Sequence, residues 1–272
     1  MTENKNRLPL LAAFIGVALL AILGGYMLLT TNQNVRDEAG DSQAGAAVAE
    51  ADKALSAAGM DADDKAATEA VVRAYILQNP EIISDAITIL QQRDVAGRLA
   101  TSKSAITKAF YKAEAGNPNG DVTIVQFTDY NCGYCRTSVP DLEKLIAQDK
   151  GVRVVYRELP ILSATSRDAA LWALAAAKQG KHTAFHGAMF ASGRPDATTI
   201  RAAAARAGLD MKSAENFASS TEANKEVDNN LAIMQQVGFN GTPTFVIGDQ
   251  LLEGAVGYEA LTAAVLKARK QG

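Results

Sequence analysis

The sequence predicts an α/β domain with a helical insertion, preceded by a transmembrane helix and a helical extension. Two observations carry this: a long apolar run near the amino terminus, and the order β-α-β, about four helices, then β-β-α over residues 117–272. The length of 272 residues, 48% of them hydrophobic, is enough for one or two domains. A net charge of -3 gives no basic field that would attract a phosphate backbone, so nucleic acid is not expected as a partner.

Residues 1–30 are expected to form a cytoplasmic tip and a membrane anchor. The run Leu8–Leu29 has no charged residue, and it meets the length of about 20 residues that a transmembrane helix needs. Lys5 and Arg7 precede the run and the first acid after it is Asp37, so the remainder is expected outside the cytoplasm. A cleaved signal peptide is the alternative, although the run ends without an Ala-x-Ala pattern.

Two segments lie between the anchor and the α/β domain. Residues 31–60 are rich in Ala, Asp, Gly, Gln and Ser and lack aromatics, which predicts a flexible tether. Residues 61–116 are predicted to be a helical extension, because apolar residues recur at helical spacing and Asn79-Pro80-Glu81 has the composition of a helix start. The apolar stripes either pack on the same domain or hold copies of the chain together through residues 61–114, and the sequence leaves both open.

Residues 117–272 carry the signals of the α/β domain. Strands are predicted where β-branched and aromatic residues follow turn signals, and helices where apolar residues recur with helical period. The predicted strands are Val122–Thr128, Val152–Tyr156, Thr244–Ile247 and Gln250–Glu253, the last two joined by a turn at Gly248-Asp249. Helices are predicted at Thr137–Gln148, in the insertion at about 163–238, which ends with a run from Ser213 to Val237, and at Tyr258–Lys270.

The only cysteines are Cys132 and Cys135, separated by Gly133 and Tyr134. Two thiols cannot complete a four-ligand structural zinc site. A disulfide between them would close a loop too short to stabilise the fold appreciably. A disulfide exchanger needs a nucleophilic thiolate and a second thiol that resolves the mixed disulfide. Because a strand delivers Cys132 to a helix start, whose positive end stabilises a thiolate, Cys132 is predicted to attack and Cys135 to resolve. The alternative is a pair of idle buried thiols or half of a metal site; no cofactor is predicted.

Three stretches carry a family resemblance. FTDYNCGYC, the helical insertion and GTPTF together resemble the DsbA-like branch of the thioredoxin superfamily over about residues 117–270. RAYILQNPEIISDAITIL resembles the extension of ScsC-type suppressors of copper sensitivity. The resemblance implies a thioredoxin-like fold and a thiol–disulfide oxidoreductase that forms or rearranges disulfides in exported cysteine-containing proteins. It also implies a single-pass bacterial inner-membrane protein with its catalytic domain in the periplasm and a membrane redox partner of DsbB or DsbD type.

The resemblance further implies a substrate-binding loop at Thr242 and Pro243, with Pro243 in the cis form and facing the cysteines. An X-Pro bond has only a small trans preference, so a fold can hold it cis. Gly133 and Tyr134 are expected to tune the redox properties. With Thr242 they resemble DsbC-type isomerases, whereas strong DsbA oxidants commonly carry Pro-His and a Val before the proline. Gln126 stands where DsbA relatives often have a buried glutamate, so oxidase, isomerase and reductase all stay open.

Two histidines and one alternative function complete the sequence interpretation. His182 and His186 lie four residues apart on a predicted helix, but no carboxylate or cysteine at helical spacing joins them. Packing at the helix surface is therefore expected and no metal site is predicted. Trp172 is expected in the core. The alternative function is a redox-linked chaperone or copper-handling module that uses Cys132 and Cys135 as ligands for Cu(I).

Overall fold

A computed structural model of the chain describes residues 45–271. The predicted membrane span Leu8–Leu29 lies outside these residues. Within 45–271 no helix has both the length and the apolar character that crossing a membrane requires. The chain divides into two compact units, and the boundary falls between Ile83 and Ser84.

The described part of the first unit is helical. Residues 45–57 form helix α1, and Ala62–Gln78 form α2. The prediction of a flexible tether up to residue 60 is therefore wrong for 45–57, because this stretch is rich in alanine, the residue with the highest helix propensity. Asp61 caps α2 through a capping box with Asp64. None of the α2 residues is buried, so its apolar stripe is open to solvent.

Helix α3 spans Glu81–Thr107 and begins where the Asn-Pro-Glu signal predicts. Its last turns enter the core of the second unit, where Leu99 and Ile106 pack with strand residues such as Phe127. The part of the extension nearest the domain thus packs on that same domain, one of the two alternatives that the sequence left open. Apolar residues nearer the start of α3, Ile87 among them, remain exposed.

The second unit is built on one five-stranded sheet with the order β1-β3-β2-β4-β5. β2 and β3 are parallel, and the other three pairings are antiparallel. The strands are β1 Glu114–Gly116, β2 Val122–Thr128, β3 Val152–Glu158, β4 Thr244–Ile247 and β5 Gln250–Glu253. β1 was not predicted, and the sequence up to about Glu114 was expected to be helical instead. Three residues without an apolar pattern form a strand here because β3 supplies the hydrogen-bonding edge.

Helices cover the sheet and form the insertion. α4 (Gly133–Gln148) follows β2, and α10 (Gly257–Gln271) closes the chain. Between β3 and β4 lie α5 Ala164–Lys178, α6 His182–Ala191, α7 Ala197–Arg206, α8 Met211–Ala218 and α9 Thr221–Val237. The predicted single run from Ser213 to Val237 is two helices, because the side chain of Ser220 caps a new helix start. Trp172 packs, partly buried, against the core of the insertion.

The Arg157 side chain links the end of α3 to the sheet through hydrogen bonds. Its buried guanidinium donates hydrogen bonds to the carbonyl oxygens of Ala105, Ile106 (3.1 Å) and Lys108 (2.6 Å). It also pairs with Glu226 of α9 at 2.7 Å. One charged side chain on β3 therefore satisfies carbonyls at the end of α3, which have no partner within the helix.

We expect Ile106→Ala to lower the free energy of unfolding by about 2–5 kcal/mol, because it leaves a cavity in the core. Ile87→Ala makes the same chemical change in the same helix at an exposed side chain, and its effect should stay within about 0.5 kcal/mol. Urea denaturation of chains beginning at Ser84 measures both. Equal losses for the two variants would contradict the packing of α3 on the second unit.

Candidate active site

Cys132 lies between β2 and α4, directly before the first residue of the helix. It is the N-cap residue of α4, as the sequence predicts, and its Sγ accepts a hydrogen bond from the backbone N–H of Cys135 at 3.2 Å. The sulfur thus occupies the position that a serine or aspartate oxygen takes in most helix caps. Free N–H groups and the positive end of the helix dipole face it, an environment that favours a thiolate.

Asp129 organises the loop before Cys132. One carboxylate oxygen accepts from the N–H of Asn131 at 2.8 Å, and the other accepts from the N–H groups of Ile161 and Leu162, each at 2.9 Å. The loop after β3 is thereby tied to the loop after β2. Three backbone donors satisfy the carboxyl oxygens of this buried side chain, as a polar group without solvent requires.

The Thr242–Pro243 loop faces the cysteines from β4. The peptide bond before Pro243 is cis, as expected from the resemblance. Cys132 Sγ lies 3.1 Å from the carbonyl oxygen of Thr242, a contact in which the protonated thiol is the donor. The structure therefore brings Cys132, Cys135 and the Thr242–Pro243 loop together, while the role of this loop in binding substrate stays a prediction.

The two thiols have opposite electrostatic environments. The pKa of Cys132 is lowered to about 6, first by a hydrogen bond from the Cys135 thiol and further by the Thr242 side chain and nearby backbone N–H groups. Burial raises the pKa of Cys135 far above its usual range, and the Cys132 sulfur adds to the effect. Cys132 is 5% exposed and Cys135 is 0% exposed. At neutral pH this arrangement holds one thiolate at the rim and one thiol beneath it.

The residues between the cysteines face solvent. Tyr134 is 70% exposed, and a Cβ built at Gly133 would meet no heavy atom within 4 Å. Gln126 on β2 is fully buried, and neither polar atom of its side chain has a hydrogen-bond partner within residues 45–271. An amide at this position cannot take up a proton as a carboxylate would.

The expectation that His182 and His186 pack at a helix surface is wrong. They are 1% and 3% exposed, because the helix that carries them is covered by the rest of the insertion and the sheet. Glu158, the last residue of β3, places Oε1 2.9 Å from His182 Nε2 and 3.3 Å from the Tyr130 hydroxyl. That hydroxyl also lies 3.1 Å from His186 Nδ1. We call Tyr130, Glu158, His182 and His186 the Glu158 cluster.

Sequence reasoning missed this cluster because its carboxylate lies 24 positions before His182 and on a strand, so no helical spacing reveals it. The available signal was an acidic residue ending an otherwise buried strand. Glu158, His182 and His186 each offer a ligand atom within 4.8 Å of the others. However, two zinc ligands at about 2.0–2.2 Å in a tetrahedral site stand more than about 3.2 Å apart. The 2.9 Å contact between Glu158 Oε1 and His182 Nε2 is therefore a hydrogen bond, and these two atoms are not placed as ligands of one zinc ion.

Two family models match the chain. Residues 123–266 match the DSBA-like thioredoxin domain, and residues 64–96 match the copper resistance protein ScsC N-terminal domain. The chain belongs to the DSBA-like thioredoxin domain family. Its fold is accordingly a thioredoxin-like α/β fold, as the resemblance implied.

Solved structures agree with this assignment. A thioredoxin-like oxidoreductase from Silicibacter pomeroyi is 44% identical, with 58% of this chain and 91% of that chain covered and a TM-score of 0.56. A linker-deletion variant of Proteus mirabilis ScsC is 29% identical, with 78% and 98% covered and a TM-score of 0.61. The thiol-disulfide exchange protein α-DsbA2 from Wolbachia pipientis is 26% identical, with 65% and 97% covered and a TM-score of 0.61.

Curated relatives are longer proteins. Na(+)/H(+) antiporter NhaA 3 of Salinispora tropica is 30% identical over 158 residues, which are 56% of this chain and 24% of that protein. This chain therefore spans about a quarter of the length of the curated relatives that it matches.

We expect the rate of Cys132 alkylation to rise with pH through a midpoint at about 6, because only the thiolate reacts. Cys135→Ala removes the strongest cause of the lowered pKa and should move the midpoint upward. Iodoacetamide labelling of reduced protein followed by mass spectrometry measures both midpoints. A wild-type midpoint near the free-thiol value of about 8.5 would contradict the described environment.

Proposed function

We propose that Cys132 and Cys135 catalyse thiol–disulfide exchange in exported proteins. The observation that carries the proposal is the contrast between the two sulfurs, one stabilised as a thiolate at a helix start and the other buried as a thiol. Exchange needs this pair of properties, because the thiolate attacks and the second thiol resolves the mixed disulfide.

The proposed reaction runs in two balanced steps. The Cys132 thiolate attacks one sulfur of a substrate disulfide, and the other substrate sulfur leaves as a thiolate. Cys135 then loses its proton and attacks Cys132, which forms the Cys132–Cys135 disulfide and releases the second substrate thiolate. The substrate disulfide is reduced and the enzyme pair is oxidised, whereas the reverse sequence oxidises a substrate dithiol.

The direction of the reaction depends on the reduction potential of the pair. A stabilised thiolate favours the reduced enzyme and makes its disulfide more oxidising. The pKa of about 6 for Cys132 lies between about 7 for thioredoxin and about 3.5 for DsbA. We therefore expect a potential between about −270 and −120 mV, which is compatible with rearranging disulfides as well as forming them. Equilibration with glutathione buffers measures it.

Cys132→Ser should abolish reduction of insulin disulfides and refolding of scrambled ribonuclease, because no attacking sulfur remains. Cys135→Ser should instead accumulate mixed disulfides with substrate, since attack proceeds and resolution does not. Non-reducing electrophoresis separates the two results. Insulin reduction at the wild-type rate by Cys132→Ser would overturn the assignment of the attacking sulfur.

Pro243 and Thr242 are proposed to bind the substrate segment next to the attacked disulfide. Their support is the placement of this loop against Cys132. We expect Pro243→Ala to slow insulin reduction at least about 10-fold, since a displaced substrate loses reactive alignment. Pro118→Ala, at an exposed proline in the turn before β2 and so at the opposite end of that strand from Cys132, is the matched control and should change nothing. Equal rates for both variants would remove the loop from substrate binding.

We further propose that copies of the chain associate through the predicted extension, residues 61–114, and chiefly through its part before residue 95. Val71, Val72, Tyr75 and Leu77 of α2 are exposed, and the first turns of α3 expose more apolar side chains. Light scattering on chains beginning at residue 61 and at Ser84 tests this. A start at 117 is unsuitable, because it removes the core residues Leu99 and Ile106.

The proposed location is the periplasm, with the Leu8–Leu29 anchor in the inner membrane and a redox partner of DsbB or DsbD type. A periplasmic thioredoxin-like protein from Salmonella enterica, 28% identical with 95% of its chain covered, supports the compartment.

The Cu(I) alternative is favoured by the match to the copper resistance protein ScsC N-terminal domain. Titration of the reduced protein with Cu(I), compared with Cys132→Ser, separates it from exchange, since only ligation gives saturable binding.

A further inference from the structure

We propose that Asn240 is a site of spontaneous deamidation, and that its isoaspartate product displaces the Thr242 carbonyl from Cys132. Asparagine is a thermally labile residue. Its side chain cyclises fastest where a glycine follows, because no Cβ hinders the attacking backbone nitrogen. The sequence contains two such pairs, Asn119-Gly120 and Asn240-Gly241. The deamidation itself does not depend on redox activity, whereas its consequence for catalysis rests on the proposed function.

The reaction consumes water and releases ammonia, without an oxidant or a reductant. Hydroxide removes the proton of the Gly241 N–H, and the nitrogen attacks Cγ of Asn240. The new C–N bond closes a succinimide ring as the bond from Cγ to the amide nitrogen breaks and ammonia leaves. Water then opens the ring. Opening at Cγ gives aspartate, whereas opening at the backbone carbonyl gives isoaspartate, whose main chain runs through the side chain and is longer by a methylene.

The Asn240-Gly241 pair has the surroundings that this reaction needs. Asn240 is exposed and lies in the loop between α9 and β4. The N–H of Gly241 has no backbone acceptor among residues 45–271. A Cβ built at Gly241 would meet no heavy atom within 4 Å. The attacking nitrogen is therefore not held away from the amide carbon by a backbone hydrogen bond or by close packing.

Asn119 is exposed as well, but the glycine after it is held in place. The N–H of Gly120 donates a hydrogen bond to the carbonyl oxygen of Asn117 at 2.9 Å. A Cβ built at Gly120 would lie 2.4 Å from the carbonyl oxygen of Gly151 and 2.9 Å from the backbone nitrogen of Arg153. Deamidation at Asn119 therefore requires local opening of this turn, and the pair serves as a control within the same chain.

The loop that contains Asn240 is anchored on both sides. Before it, the buried side chain of Phe239 packs on Phe127, with the ring centroids 4.8 Å apart. After it, the carbonyl oxygen of Pro243 accepts a hydrogen bond from the N–H of Gly254 at 2.8 Å. A methylene added to the main chain between two anchored ends has to displace the residues between them.

Thr242 is one of the residues between these ends, and its carbonyl oxygen lies 3.1 Å from Cys132 Sγ. Isoaspartate at position 240 therefore displaces this carbonyl from the sulfur, and it also adds a negative charge two residues away along the chain. Aspartate at the same position adds only the charge, because the length of its main chain is unchanged. The two products thus separate the effect of geometry from the effect of charge.

Peptide mapping of the incubated protein tests the modification. The reduced full chain is kept in a mildly alkaline buffer, and electron-transfer mass spectrometry examines the tryptic peptides 113–136 and 226–267, which contain one Asn-Gly pair each. We expect Asn240 to deamidate at least about 10-fold faster than Asn119, because only Asn119 needs local opening. In urea the two sites should react at similar rates. Equal rates in the folded protein, or an Asn240 that reacts only in urea, would overturn the site.

The activity of the incubated protein tests the consequence. We expect insulin reduction to fall at least about 10-fold in the isolated isoaspartate form, since a displaced loop loses reactive alignment. Asn240→Asp carries the charge without the added methylene and should stay within about 5-fold of the unmodified protein. Protein isoaspartyl methyltransferase with S-adenosylmethionine regenerates the succinimide and then aspartate. This treatment should raise the rate to that of Asn240→Asp.

Two glutamine variants control for other losses during incubation, because glutamine cyclises far more slowly than asparagine. Asn240→Gln should begin as active as the wild type and keep its activity, whereas Asn119→Gln should lose activity at the wild-type rate. An Asn240→Gln variant that declines like the wild type, or an isoaspartate form with full activity, would overturn the link to catalysis. Absence of insulin reduction in fresh wild type would instead overturn the proposed function and leave the peptide map unaffected.

Discussion

The hydrogen bonds that converge on the Cys132 sulfur depend on how the sheet is ordered. β2 lies between β3 and β4, and it runs antiparallel to β4 with Phe127 opposite Thr244. The end of β2 and the start of β4 therefore meet at the same edge of the sheet. The loop to α4 and the Thr242–Pro243 loop are neighbours for this reason, and the sulfur at the helix start lies between them.

Burial beneath the Cys132 sulfur makes the environments of the two cysteines different. α4 turns Cys135 back beneath Cys132, and the insertion helices close over it with a core of small and aromatic side chains. The same cover encloses Glu158, His182 and His186. Polar groups without solvent are stable only when they are hydrogen-bonded, and Glu158 meets that condition through His182 and Tyr130. The insertion thus buries both the Cys135 thiol and the Glu158 cluster.

The helical extension has two different environments along its length. Leu99 and Ile106 belong to the core of the second unit, and Arg157 holds the last carbonyls of α3. α2 buries no residue. Exposed apolar side chains gain free energy when a partner buries them. The proposed association between copies therefore concerns the first part of the extension and not its end.

The sequence by itself determined the features that depend on near neighbours. Strands β2, β4 and β5 have the predicted bounds because composition and turn residues specify them locally, and the Cys132 cap follows from a strand running into a helix. The family and the cis bond before Pro243 followed from the resemblance.

Tertiary structure alone decided β1, which needs the edge of β3, and the docking of α3, which needs Arg157 and the sheet. It also decided the Glu158 cluster, since a strand and a distant helix meet there only after the insertion folds over the sheet. Local patterns record which face of an element is apolar, but they do not record which distant side chain that face will meet.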